Sequence, residues 1–212
     1  MVENTTIILV LAIGGLVLLY FLLYIPFTRK VAWKSVVIPA TTLKNMRNKR
    51  KQRAEVAYVF DFNHQQNRAE RIRFRRGTRD FVIPRANWDD EVIFHTHNKV
   101  SNPVENVLRE RPSGGDLVQL ISSPRLQDGL ITPSGRLLIY EETSHTDPRK
   151  VKRLDQKEVE IQKRVFRKEV TPTKAREVNK RFLSEVKKAG IRVREVSPNQ
   201  ALKLRTEVRE HG

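Results

Sequence analysis

The chain of 212 residues has no cysteine, which excludes disulfides and thiolate metal sites and fits a reducing compartment. No internal repeat appears, and no low-complexity tract beyond one basic stretch. Acid is scarce: 24 acidic residues stand against 41 basic ones, and the resulting charge of +17 needs a partner or a location. The chain also lacks an aromatic-and-basic stacking pattern and any recognisable nucleic-acid motif. Nucleic acid is therefore a candidate partner for the basic residues of 148–212 but not the favoured one. A solvated helix face is preferred.

Only one long apolar run is present. Ile7 to Phe27, "IILVLAIGGLVLLYFLLYIPF", carries no charge. As a helix it would be about 30 Å long, enough to cross a bilayer core. Glu3 precedes it and no base does, so a cleaved signal peptide is not expected. Tyr20 and Tyr24 suit the headgroup region at one end, and Pro26 stands where the helix would stop. After the run, Arg29 to Arg53 holds nine bases and no acid. That asymmetry places the remainder of the chain in the cytoplasm and sets a polybasic segment against an anionic leaflet.

Beyond Arg53 short apolar stretches alternate with turns. "AEVAYVFDF", with Val56, Tyr58 and Phe60 on one face, reads as a strand. "RIRFRR", "DFVIP" and "EVIFHTH" read likewise. Ser113 is placed to cap a helix over "DLVQLISS", and Pro133-Ser134-Gly135 joins "GLITP" and "GRLLIYEE" in a hairpin. "EVEIQKRVFRKEV" fits a strand and a helix equally. Thr171-Pro172 opens a helix with an Ala175, Val178, Phe182, Val186, Ala189 stripe, and Gly190 closes it before the strand "IRVREV". Ser197-Pro198 repeats the cap signal for a last helix through Ala201, Leu204 and Val208. The fold class expected is mixed α/β (α+β).

His95 and His97 lie at i and i+2, so on a strand they project from one face. Two imidazoles so placed can bind one borderline metal such as Zn2+, and Asp116, after a turn, can add a carboxylate. Histidines at this spacing are also common as plain polar positions on an edge strand. The downstream Ser-x-x-Asp tips the balance, because it brings an oxygen ligand and a hydroxyl together.

This combination resembles the JAMM metallopeptidases, also called the MPN-plus or JAB-domain family. Their motif is an upstream Glu, then His-x-His-Pro, a spacer and Ser-x-x-Asp. His95, His97, Ser113 and Asp116 match it, and Glu55 is the best match for the upstream acid, with Glu70 and Glu91 as competitors. The resemblance covers about Lys44 to Glu142. It implies a cytidine-deaminase-like sheet flanked by helices, zinc on His95, His97 and Asp116, Glu55 as general base and Ser113 as an oxyanion donor. Asn98 stands where the family has proline, and residues 98–112 make a longer spacer than usual. The expected organisation is an anchor over 1–28, a polybasic segment over 29–53, a JAMM-like domain over 54–147 and a basic extension over 148–212, helices with one strand.

Two functions follow as expectations. One is a membrane-anchored zinc peptidase or isopeptidase acting on a protein substrate at the cytoplasmic face, with Arg109, Glu110 and Arg111 shaping its groove. The other is an inactive JAMM-like structural protein linking a membrane to a larger assembly, such as the capsid or internal membrane of a virion. The basic stretch makes its own prediction. Binding of residues 31–212 to vesicles containing anionic lipid should weaken as salt is raised, and binding indifferent to salt would contradict an electrostatic role.

Overall fold

The computed structural model describes residues 31–49, 54–63, 65–78, 92–123, 127–197 and 199–209. The span expected over 1–28 lies outside them, as do "DFVIP" and Glu91. Among the described residues no helix is long and apolar enough to cross a membrane. Lys34–Thr206 forms one compact unit. Of a second unit, 1–33 with 207–212, the described residues are only the first of one strand and the last of another.

Eight strands and five helices are described: β1 (Val31–Ile38), α1 (Ala40–Lys49), β2 (Val56–Asn63), β3 (Arg68–Arg76), β4 (Val92–Thr96), α2 (Pro103–Leu108), α3 (Gly114–Ile121), β5 (Gln127–Ile131), β6 (Leu137–Glu142), α4 (Pro148–Phe166), α5 (Pro172–Lys188), β7 (Ile191–Val196) and β8 (Leu202–Arg209). The strands form one mixed sheet in the order β7-β6-β5-β4-β2-β3-β1-β8. β4 and β5 run parallel, with Phe94 opposite Gly129 and His95 opposite Leu130. A parallel pair needs a crossover, and α2 and α3 make it.

Alternation along the strands sends apolar side chains to both faces. Val56, Tyr58, Phe60, Phe94 and Ile139 pack with Leu43 and Met46 of α1 on one side. Leu130, Leu138 and Tyr140 pack on the other against Leu117 and Leu120 of α3, Val151 and Leu154 of α4, and Phe182 and Val186 of α5. The first nine residues of "EVEIQKRVFRKEV", through Phe166, are the C-terminal part of α4, with Val165 buried.

Residues 148–212, read as an extension with one strand, supply two helices and two strands, and β7 and β8 are the outermost strands of the sheet. The last helix expected through Ala201, Leu204 and Val208 is strand β8 instead. Leu202 and Leu204 are buried while Ala201 and Lys203 are exposed, a period of two. Glu70, a competitor for the upstream acid, belongs to β3.

Gly114 sits where α3 crosses α4. A Cβ there would lie 2.4 Å from the Asp155 Cα, whereas one on Gly115 would come no closer than 3.7 Å to anything beyond its chain neighbours and its own helix backbone. Gly114→Ala should therefore destabilise the chain by about 2 kcal/mol or more, and Gly115→Ala by much less, in urea unfolding. Equal losses would mean that the α3–α4 approach is not the constraint.

Candidate metal centre

The parallel β4–β5 pairing fixes the site. β4 is hydrogen-bonded on both sides, with His95 opposite Ala57 of β2 and Leu130 of β5. The ladder continues one residue further, since the His97 backbone N–H donates to the Ile131 carbonyl at 2.8 Å. Both imidazoles therefore leave the same face at the strand's C-terminal end. Their Nε2 atoms are 3.3 Å apart.

Asp116 arrives from the start of α3. Ser113 is the N-cap: its Oγ accepts the Asp116 backbone N–H at 3.1 Å, and the Asp116 carboxylate accepts the Ser113 N–H at 2.7 Å. This capping box aims the carboxylate and sets it at the positive end of the helix dipole. Oδ1 reaches the His95 Nε2 at 3.2 Å and Oδ2 reaches the His97 Nε2 at 3.4 Å. Each of the three residues offers one ligand atom, all within 4.8 Å of one another, and the group could hold a metal ion. The separations suit one. Donors about 2.0 Å from an ion at tetrahedral angles lie about 3.3 Å apart.

The surroundings favour a cation. His97 Nδ1 lies 2.9 Å from the Arg109 carbonyl. A carbonyl can only accept, so Nδ1 carries the hydrogen, and in neutral His97 the Nε2 lone pair faces the other two groups. Burial opposes a charge on His95, but the adjacent Asp116 carboxylate outweighs it and raises the imidazole to about 9. Burial likewise opposes ionisation of Asp116, and the two histidines hold its carboxyl well below the usual range.

Glu55 precedes β2 and is 3% exposed. Burial pushes its carboxyl above the usual range, against the pull of His97, His95 and Arg109. Its Oε1 is bonded to the Arg109 guanidinium. Glu55, His95, His97, Arg109, Ser113 and Asp116 all line one cleft of about 580 Å³. The Glu70 side chain and all of Glu91 lie outside the described residues. Asn98, where the resemblance leads one to expect proline, is buried and accepts the Thr96 hydroxyl at 3.1 Å. Thr96 in turn accepts the Val56 N–H at 3.0 Å, tying the end of β4 to β2.

Sequence reasoning assigned Arg109 to a substrate groove and missed its two contacts in the site. No local signal marks either, since 54 residues separate Arg109 from Glu55. Comparison with known families, curated proteins and solved structures finds no match to this chain.

A divalent ion entering this site must displace the His95 proton. Below pH 9 its apparent affinity should rise by about tenfold per pH unit, then level off. Cobalt titrations across pH 7–9.5 check this, and a flat profile would contradict it. Without metal the sign reverses. The raised His95 value stabilises the fold fully below about 6.5, and that contribution fades as pH rises through 9.

Proposed function

We propose that this chain is a membrane-anchored, JAMM-like zinc peptidase or isopeptidase acting at the cytoplasmic face. The observation that carries the reading is the convergence of His95, His97 and Asp116 in a cleft that also holds Glu55 and Ser113. Two imidazoles and a carboxylate are a zinc-type donor set that leaves a fourth position open.

When bound, zinc supplies Lewis acidity and lowers the pKa of water at the site. The chain's own residues do the rest. With Oε1 of Glu55 held by Arg109, Oε2 is the oxygen left to take a proton from water and pass it to the leaving nitrogen. The raised Glu55 pKa brings it closer to neutrality, where a general base is most effective. Ser113 accepts the Asp116 N–H, so its own O–H is left to donate to an oxyanion in the cleft. The apolar span of residues 7–27 and the bases after it would hold this cleft close to the lipid.

One observation favours the second reading, a docking module between a membrane and a larger assembly. The carboxylate assigned as base is already engaged by Arg109. A scaffold tolerates that pairing, whereas a hydrolase must share Glu55 between Arg109 and water.

Two measurements on the detergent-solubilised full chain test the proposal. Purified without chelator, it should carry about one zinc per chain, lost in His97→Ala. Glu55→Gln should keep the zinc and reduce hydrolysis of an isopeptide-linked substrate by about a hundredfold or more. Activity surviving that change removes Glu55 as base, and absence of metal from the unaltered chain leaves the scaffold.

A further inference from the structure

The spacer between His97 and Asp116 is a built strap. Asn102 caps α2, accepting the Val104 N–H at 2.9 Å. Asn106 accepts the Val100 N–H at 2.8 Å and donates to the Val100 carbonyl at 2.6 Å. Val104 and Leu108 pack against Val165, Val170 and Ala175, which belong to α4, α5 and the turn between them.

The strap's far end is gripped from α5, where Asn179 holds it at two points. Asn179 Nδ2 donates to the Val107 carbonyl, and Asn179 Oδ1 accepts Arg111 Nε at 2.8 Å. Arg111 is 1% exposed, lies 3.6 Å above the centre of the Phe182 ring and pairs with Glu158 at 2.7 Å. Residues 107 and 111 are thus both pinned, and Arg109 lies midway between them. The Arg109 carbonyl accepts His97 Nδ1–H and its guanidinium holds Glu55.

We infer that Asn179 is a positioning residue for the metal centre, acting through the Arg109 carbonyl. It touches neither a ligand nor the cleft. By fixing both sides of Arg109 it fixes the acceptor that sets which nitrogen of His97 is protonated and how the ring is turned. Released from that grip, the carbonyl moves, the imidazole turns or changes tautomer, and Nε2 no longer presents a lone pair to the ion. Asparagine is a poor helix former, and a mid-helix position on α5 needs such a reason. The inference rests on the metal-binding reading above.

Cobalt is the probe, titrated into the detergent-solubilised full chain and read by its visible absorption. Loss of a ligand's outer hydrogen bond commonly costs 10- to 100-fold in affinity, and an indirect effect belongs at the lower end, so Asn179→Ala should bind cobalt about tenfold more weakly with an altered band. Asn179→Asp keeps an acceptor for Arg111 and replaces the donor to Val107 with a carboxylate oxygen. It should also weaken binding, and it decides the matter should the alanine variant not fold. Val151→Ala, in the α4 core, should lower urea stability while leaving cobalt affinity and spectrum unchanged. Unaltered affinity and spectrum in the folded Asn179 variants, or a loss no larger than in Val151→Ala, overturns the inference and leaves the metal reading intact. Failure of the unaltered chain to take up cobalt overturns both.

Discussion

The bond from His97 Nδ1 to the Arg109 carbonyl sets the geometry of the candidate metal centre. It turns the Nε2 lone pair of His97 toward a second imidazole and a carboxylate, all three out of bulk water. Three electron-rich groups cannot rest against one another in a buried place without positive charge between them. A proton on His95 meets that demand, and a divalent ion held by all three would meet it too.

Sheet topology decides where this demand arises. Because β4 and β5 are parallel, the chain must leave the C-terminal end of β4 and cross over, and α3 starts the return. Strand end and helix N-terminus meet there, which is where α/β folds concentrate ligand chemistry. Ser113 and Asp116 satisfy the helix's orphan N–H groups and aim a carboxylate at the histidines with the same few atoms. A capping box is ordinarily a stability device. Here it also aims the Asp116 carboxylate at the two histidines.

Much of this was legible in the sequence, for local reasons. The i, i+2 spacing of His95 and His97, the Ser113 cap and the alternation in β2 each depend on neighbours a few residues away. The JAMM resemblance stands on those same residues and remains a proposal. What escaped depends on distance. Nothing near Arg109 announces Glu55, and nothing near Asn179 announces Val107 or Arg111. β8 escaped for another reason: Ala201, Leu204 and Val208 fit a helical stripe as well as Leu202 and Leu204 fit a strand, and burial settles such a tie only after the sheet exists.

The strap's dependence on α5 has a temporal side. A ribosome delivers the ligands His95, His97 and Asp116 well before residue 179, and β7, which covers the β6 edge, later still. A nascent chain halted between those points has the three side chains without the Asn179 contacts that pin residues 107 and 111. On the metal-binding reading, cation capture therefore waits for α5 to emerge.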